Sequence, residues 1–538
     1  MKIKTNLVFL RLYSLALAAL LGTGLASAAE LATQEAAALR VQVSAWKISG
    51  NTLLPTETLV KSIQPWVGKR LGIEELQEPL AQLSALYRAQ GFPLVQAVLP
   101  EQALDESGAV RVEIIEARWG AVQVHNKSTL SDGLVAMYLS ELQPGSVIRG
   151  DTLDKAAGYL ASVPGIQTQA SLRPGTLFGT SDLEVVLSPG ETSAGSLHTD
   201  NQGNAYTGRN RVGWYQQFFN PLARGDTASI GIVTSGPMLA NARFSYETPF
   251  IQPAVSLGWS VSKFEYQLGD AASSLVAGGS AQQSGVWAQY DVFRSSAASV
   301  KVRAQLDSYA LRDSIEVSNT NTARRIDAAA LEVHTEINQL PASAARAGLT
   351  LGWHGGNTRW VDAQAAVVDS TGAHIAGDYG YINVKLQAEH ALGPVGSLSL
   401  AWSGQWANTN LDGSQKFTLG GPSGVRAYET GVLNGDTGQL LSLQWRYGLR
   451  FASDTPSGGL WQWRVFWDYG QAKTNQKPWQ ALDNEFAISG WGLGLDWQHP
   501  SGWQASLSMA WASGPIPAPL AYSNATRTSA WLDLRRTY

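Results

Sequence analysis

The chain has 538 residues, more than a single compact domain usually holds, so two or more domains are expected. Its formal net charge of −4 argues against a nucleic-acid partner. It has no cysteine, which excludes disulfides, thiol chemistry and cysteine metal sites and suits a protein that works outside the cytoplasm.

The N-terminus has the pattern of a secretory signal peptide. An apolar run covers residues 12–21. Basic residues precede it and a small-residue cleavage motif follows it: Lys2, Lys4 and Arg11, then Ala26-Ser27-Ala28. We therefore predict a signal peptide at 1–28, with cleavage near Ala28 or Ala29. A membrane anchor helix is the alternative, but the run is shorter than the ~20 residues that a spanning helix needs. No later segment stays apolar over that length, so strands of a closed barrel are the remaining way to enter a bilayer.

Two α/β units follow a short segment at 29–40, and they share one order of elements. In the first unit, at 41–117, the pattern predicts a strand at 41–46, a short helix opened by Pro55, a helix at 73–89 and strands at 94–99 and 109–116. In the second unit, at 118–190, it predicts a strand at 122–124, helices at 134–142 and 153–161, and strands at 167–172 and 183–187. Two successive units with one topology are an internal repeat.

The first unit resembles POTRA domains, the periplasmic modules of the BamA/TamA superfamily of outer-membrane transporters. Three short motifs carry this resemblance: Ile48-Ser49-Gly50-Asn51-Thr52, Gly91-Phe92-Pro93-Leu94 and Leu99-Pro100-Glu101-Gln102. On these two units alone, a generic α/β pair remains an equal alternative.

The strand edges of these units are candidate binding surfaces for an unfolded chain. An exposed edge offers backbone hydrogen bonds without demanding a particular sequence. The candidate substrate-binding residues lie in or next to the predicted strands at 94–99 and 167–172: Leu94, Val95, Leu99, Gln167 and Leu172.

From residue 191 to the end, apolar and polar residues alternate in sixteen short runs, which is the period of a β-strand. The predicted strands are 194–201, 211–219, 227–234, 242–248, 255–265, 285–294, 299–312, 325–337, 347–354, 379–391, 397–406, 437–451, 460–470, 487–498, 503–511 and 527–538. In the thirteenth run Trp461, Trp463, Val465 and Trp467 alternate with Gln462, Arg464, Phe466 and Asp468.

A soluble sheet would bury those tryptophans, whereas a membrane barrel turns them to lipid and the polar residues to a wet lumen. The 20 tryptophans, 54 glycines and only 15% charged residues fit the same class. We therefore predict an all-β membrane domain, a 16-stranded antiparallel transmembrane β-barrel at 191–538, preceded by the two periplasmic α/β units. A large soluble β-sandwich or propeller is the alternative.

The connection at 407–436, between the eleventh and twelfth strands, is then the sixth external loop. It contains Gly420-Gly421-Pro422-Ser423-Gly424-Val425-Arg426-Ala427-Tyr428, whose glycines and proline allow the loop to fold back on itself. Arg426 is the only cation in that stretch, and Asp468 faces the lumen by the alternation of its strand. An arginine–carboxylate pair with bidentate geometry can fix such a loop. A solvated loop charge is the alternative for Arg426.

Two motifs resemble the pair that members of this superfamily use to engage loop six with the thirteenth strand. The V-R-G-[YF] loop tip corresponds to Val425, Arg426, Ala427 and Tyr428, and the F-x-D-x-G strand motif corresponds to Phe466, Asp468 and Gly470. Behind two POTRA-like units, these motifs resemble the two-partner secretion branch, the TpsB or ShlB/FhaC/HecB haemolysin secretion/activation type.

This resemblance implies an outer-membrane transporter that captures an unfolded exoprotein through its POTRA domains and secretes it through the barrel. The implied partners are a TpsA-type exoprotein, a large β-helical adhesin or haemolysin, together with outer-membrane lipid and the barrel-assembly machinery for its own insertion. It implies no enzyme activity, no cofactor, no metal and no nucleic acid. An insertase of the same superfamily and a passive porin-like channel are the alternatives.

Three departures from the family pattern stand out. Ala427 replaces the family glycine, which is tolerable only if the backbone there avoids positive φ. The segment at 29–40 is short, so no N-terminal plug is predicted. Arg536 interrupts the apolar side of the last strand.

An enzyme is disfavoured on the residues themselves. The seven histidines are scattered without ligand spacing. Gly490, Gly492 and Gly494 imitate a nucleotide-binding loop, but they alternate with Trp491, Leu493 and Leu495 in a strand pattern.

Overall fold

The computed structural model describes residues 40–102, 108–295, 297–338, 340, 345–449, 458–514 and 527–538. The predicted signal peptide, its cleavage site and the segment at 29–39 lie outside these residues. The chain divides into two compact units. One comprises the described residues of Met1–Val122, Leu142–Asp151 and Leu172–Leu183, and the other comprises those of Gln123–Glu141, Thr152–Ser171 and Glu184–Tyr538.

The first α/β segment folds around a three-stranded sheet. Its elements are β1 (Arg40–Gln42), β2 (Ala45–Ser49), α1 (Thr56–Ile63), β3 (Arg70–Gly72), α2 (Gln77–Ala89), β4 (Gln96–Val98) and β5 (Ala109–Ile115). β2 runs parallel to β5, β4 runs antiparallel to it, and β1 pairs with β3. The helix predicted from residue 73 begins at Gln77, because β3 pairs with β1 and the chain must turn before the helix. In that turn the Gly72 N–H donates to the Glu75 carboxylate at 2.8 Å.

The second α/β segment repeats this plan, and its last strand again lies in the middle of a three-stranded sheet. Its elements are β6 (Arg118–Asn126), α3 (Asp132–Tyr138), α4 (Gly150–Ser162), β7 (Ile166–Pro174) and β8 (Thr180–Pro189). The helix predicted to reach residue 142 ends at Tyr138. Leu139 and Leu142 are both buried, and this is why the apolar pattern extends past the end of the helix. Neither residue is helical.

Sixteen antiparallel strands form a closed barrel, which confirms the predicted fold class. They are β9 (Ser193–Asp200), β10 (Arg211–Phe219), β11 (Thr227–Thr234), β12 (Leu239–Phe250), β13 (Gln252–Gln267), β14 (Ala277–Arg294), β15 (Ala298–Ile315), β16 (Thr320–Ile337), β17 (Ala345–Trp360), β18 (Gly377–Ala391), β19 (Ser397–Ala407), β22 (Thr437–Leu449), β23 (Leu460–Lys473), β24 (Glu485–Gln498), β25 (Trp503–Ala512) and β26 (Thr528–Thr537). Between β19 and β22 the chain forms a separate pair, β20 (Phe417–Leu419) and β21 (Leu433–Gly435). β26 pairs with β9 and closes the circle.

Several barrel strands are longer than predicted. β14 begins at Ala277 instead of residue 285, and β17 continues to Trp360 instead of residue 354. The added stretches contain glycine pairs and polar residues, so the apolar alternation stops while the backbone pairing continues. The predicted twelfth strand reached residue 451, and residues 450 and 451 lie outside the described part of the chain.

The described part of the connections contains one α-helix and several short 3-10 turns. α5 (Ala363–Ser370) was not predicted, and the Asp362 carboxylate caps it by accepting from the N–H groups of Gln364 and Ala365. The 3-10 turns of the described chain are Gln64–Trp66, Gly236–Met238, Asp270–Leu275, Gly393–Val395 and Gly413–Gln415. No helix among the described residues is long and apolar enough to cross a membrane.

The two faces of the barrel strands separate as the alternation predicts. On β23, Trp463, Val465 and Trp467 are exposed on the outer face. Phe466 and Asp468 point to the inner face and are buried. The inner face is where the connection between β19 and β22 packs, and this connection at 408–436 is called loop six below.

Candidate functional site

Loop six carries its tip on the hairpin of β20 and β21. Gly420 and Gly421 follow β20 with φ values of +92° and +81°, a conformation that L side chains rarely adopt. The Gly421 N–H donates to the Tyr428 carbonyl at 2.9 Å, and the Tyr428 N–H donates to the Val425 carbonyl at 3.1 Å. These turns fold the tip, residues 424–430, back against the inner wall.

The tip places Arg426 directly on Asp468 of β23. The guanidinium donates through Nε to Oδ2 at 2.8 Å and through Nη2 to Oδ1 at 2.7 Å, a bidentate geometry. The Arg426 backbone N–H donates to the same Oδ2 at 3.1 Å. Arg426 is 7% exposed and Asp468 is fully buried.

Side chains from the neighbouring strand satisfy the rest of this ion pair. Arg426 Nη1 donates to Gln444 Oε1 at 2.8 Å, and its Nη2 donates to Ser442 Oγ at 2.9 Å. The Ser442 hydroxyl donates in turn to Asp468 Oδ1 at 2.8 Å. The guanidinium carbon lies 3.5 Å from the ring centroid of Phe466, which adds a cation–π contact. A buried pair with every partner in place is held rigidly.

Apolar residues of the tip pack on barrel strands that carry glycine at the points of closest contact, where a larger side chain would collide with the tip. Val425, Ala427 and Tyr428 belong to one buried cluster with Phe466. A Cβ on Gly470 would lie 2.9 Å from atoms of both Val425 and Leu419, and a Cβ on Gly490 of β24 would collide with that of Ala427. Ala427 is not among the non-glycine residues with positive φ, so the condition for replacing the family glycine is met.

The tip is also bonded to β26 and to the connection that follows β9, the two strands that close the barrel. The Trp531 indole N–H of β26 donates to the Arg426 carbonyl at 2.7 Å, and Ser529 Oγ donates to the Ala427 carbonyl at 3.0 Å. Thr430 Oγ1 donates to the carbonyl of Gln202, in the connection that follows β9, at 2.9 Å. The loop therefore contacts both ends of the barrel sheet.

The structure brings the seven loop and strand motif residues together, and it places the five predicted edge residues elsewhere. β4 and β7 each form one edge of their three-stranded sheet. Val95 is buried in the core of the first segment, and Leu99 packs partly against that core. Leu94 is half-buried, whereas Gln167 and Leu172 on β7 are exposed.

Several residues of this site were not identified from the sequence. Trp531, Ser442 and Gln444 are ordinary members of alternating strands, and only the fold shows that they face the same point. The three glycines Gly490, Gly492 and Gly494 have a packing role, because a Cβ there would meet Ala427, Phe466 and Arg464 respectively. In the sequence, the sign of this packing role is that the three glycines occupy alternate positions, and therefore one face, of a single strand.

Among the described residues, no group of three or more His, Asp or Glu side chains is arranged to hold a metal ion.

Comparison with known families and proteins gives consistent matches. A family model described as "Haemolysin secretion/activation protein ShlB/FhaC/HecB" matches residues 179–497, and one described as "POTRA domain, ShlB-type" matches residues 41–117. The heme/hemopexin transporter protein HuxB of Haemophilus influenzae is 23% identical over 495 residues, which cover 91% of this chain and 85% of that protein. The outer membrane transporter CdiB of Escherichia coli is 23% identical over 235 residues, 43% of this chain and 39% of that protein.

Solved structures match the same architecture. CdiB from Escherichia coli superposes with a TM-score of 0.72 at 17% identity, covering 93% of this chain and 91% of that chain. BamA from Haemophilus ducreyi, lacking its POTRA domains 1–3, superposes with a TM-score of 0.54 at 13% identity, covering 92% of this chain and 100% of that chain. These likenesses concern the fold.

Proposed function

This chain belongs to the ShlB/FhaC/HecB family of haemolysin secretion/activation proteins, and we propose that it captures an exoprotein by strand addition and exports it through a lumen that loop six controls. The expected family is confirmed. The protein is an outer-membrane transporter of two-partner secretion, its POTRA domains lie in the periplasm, and its partner is a secreted exoprotein. Its relatives in the family are transporters, and the proposed cycle contains no catalytic step.

Strand β7 is the better of the two candidate edges for capture. It has nine residues, and all of those from Gln167 to Pro174 are exposed or half-buried. Leu172 is 40% exposed, and Leu177 and Phe178, just beyond the strand, are more exposed still. Backbone groups of such an edge supply affinity, and the apolar side chains add contacts with an extended chain.

Strand β4 is the weaker candidate. It has only three residues, and the N–H of its central residue, Ala97, donates to Ser84 Oγ of α2 at 3.1 Å. One of its edge donors is therefore already used. The predicted contacts at Leu94, Val95 and Leu99 would involve mainly backbone atoms, because the Val95 side chain lies in the core.

The exported partner we propose is a TpsA-type exoprotein, a large β-helical adhesin or haemolysin. A chain that will form many strands is a suitable ligand for a strand edge. Folding outside the cell would draw it through the pore. Insertion of the transporter itself would depend on the barrel-assembly machinery, and neither step involves nucleic acid or a cofactor.

The observation that supports the pore mechanism is the buried pair between Arg426 and Asp468, through which loop six would be held inside the lumen. Removing loop six, residues 408–436, should therefore raise single-channel conductance and stop secretion. Unchanged conductance would mean that another element closes the pore.

In this proposal capture needs both edges, so deleting residues 41–117, which removes β4 and leaves β7, should still abolish secretion while the barrel inserts. A sharper test compares Leu172→Asp with Val124→Asp. Val124 is 38% exposed and lies on β6, the opposite edge of the same sheet. Secretion should fall only for Leu172→Asp, and equal secretion by both variants would contradict capture at β7.

A further inference from the structure

Loop six has a second buried ion pair with the barrel wall, at its stem. Arg324 of β16 contacts both carboxylate oxygens of Asp412, through Nε to Oδ2 and through Nη2 to Oδ1 at 3.3 Å. The two side chains are 12% and 2% exposed. The guanidinium also donates through Nη1 to Asp313 Oδ2 of β15 at 2.5 Å, so one arginine joins the loop stem to two wall strands.

The residues around Asp412 hold the stem in one conformation. The Asp412 carboxylate accepts from the Ser414 N–H at 2.9 Å and thereby caps a 3-10 turn. Leu411 is buried with Ile326 of β16 and Tyr379 of β18. The Leu411 N–H donates to Asp436 Oδ1 at 3.1 Å, which ties the entering limb of the loop to its leaving limb.

The stem pair and the tip pair use different parts of the wall. The tip pair takes its partners from β22, β23 and β26, through Ser442, Asp468 and Trp531. The stem pair takes its partners from β15 and β16, and the neighbouring Leu411 packs on β16 and β18. Because the two pairs share none of these partners, breaking one pair leaves the contacts of the other in place.

We propose that Arg324 and Asp412 are a second pair of positioning residues for loop six, and that the loop leaves the lumen only when both ion pairs have released. This rests on the proposed role of loop six as the obstruction of the pore. Release at the tip alone would let residues 424–430 move while the stem still crosses the lumen. The export path would then open in two steps.

The test is single-channel conductance of the purified full-length protein in planar bilayers. Asp412→Asn and Arg426→Ala are each expected to leave most of the block in place, whereas the double variant should conduct more than the sum of the two separate increases. Arg324→Gln should behave as Asp412→Asn does, and Arg324→Lys, which keeps the charge, should lie closer to wild type. The matched control is Asp327→Asn, also on β16, whose partner Arg359 is 63% exposed, and it should conduct as wild type does.

Three results would overturn the proposal: increases that simply add, a double variant no more open than Arg426→Ala, or full opening by Asp412→Asn alone. Conductance is measured without an exoprotein, and a secretion assay on the same variants is separate. If the wild type secretes and loop removal opens the pore, but the increases add, only the second anchor is refuted. If loop removal leaves conductance unchanged, the pore mechanism itself fails.

Discussion

Arg426 of the loop-six tip and Asp468 of β23 form a buried bidentate ion pair, although 42 residues separate them in the sequence. Because Asp468 is fully buried, it depends on this arginine for neutralisation. The pair also orders its surroundings, since the Ser442 hydroxyl donates to Asp468 and the Gln444 side-chain oxygen accepts from Arg426. The pair is therefore the natural point at which to test whether a fixed loop is needed for export.

Removing either member of this pair should cripple secretion while the barrel still inserts. Breaking a buried pair from one side costs about 3–5 kcal/mol, because the other charge is left unpaired. Arg426→Ala and Asp468→Ala should each reduce secretion strongly, and the double variant should be no worse than either single one, since both remove the same interaction. Secretion into the medium and heat-modifiable migration of the barrel are the measurements.

The control for that experiment is Arg359→Ala, which breaks an exposed ion pair with Asp327. Exposed pairs contribute only about 0–1 kcal/mol, so secretion should be unaffected. Fully additive losses in the Arg426 and Asp468 double variant would mean that the two residues act separately.

Trp531→Phe should loosen the loop tip without disturbing the barrel wall. The substitution keeps an aromatic ring in a buried position but removes the indole N–H that donates to the Arg426 carbonyl. A buried acceptor left without its donor costs about 1–3 kcal/mol. Larger conductance fluctuations and reduced secretion are expected. Trp463→Phe, on the outer face of β23, is the control, and equal effects of the two substitutions would argue against the hydrogen bond.

The first POTRA domain should lose stability in acid through Glu116. Burial raises the pKa of Glu116, but hydrogen bonds from Thr52 and from the backbone N–H groups of Leu53 and Thr52 outweigh it, and the net pKa is lowered. A lowered folded-state pKa means that the unfolded chain binds more protons. The contribution of Glu116 is therefore present above its ordinary pKa of 4.5 and is lost as the pH falls through the folded-state value.

Glu116→Gln should accordingly lower the melting temperature at neutral pH, and its difference from wild type should shrink as the pH falls below 4.5. The helical circular-dichroism signal of the full-length protein in detergent reports this transition. Glu57→Gln, at an exposed glutamate of α1, should melt as wild type does at every pH. A difference for Glu116→Gln that stayed constant with pH would refute the role of its charge.

The strands could be predicted because their alternation is a local property of the sequence, and the meeting of Arg426 with Asp468 followed from two motifs and a strand count. The stem pair could not be predicted in this way. Asp412 is followed by Gly413, a combination typical of an ordinary turn, and nothing local relates it to Arg324. α5 escaped prediction because its short sequence, AQAAVVDS, shows no apolar stripe of helical period.

The room available at Ala427 can be measured with substitutions of graded size. Ala427 is buried, and its Cβ faces Gly490 so closely that a second Cβ there would collide with it. Ala427→Gly restores the family residue and should cost only about 0.5–1 kcal/mol through backbone freedom, so secretion should persist. Ala427→Val adds volume where the wall does not yield, and overpacking costs about 1–3 kcal/mol. That variant should displace the tip, raise conductance and reduce secretion.

Ser423→Val, at an exposed position of the same loop, is the matched control and should behave as wild type does. If Ala427→Val secreted and conducted as Ala427→Gly does, close packing of the tip on β24 would not be what holds loop six.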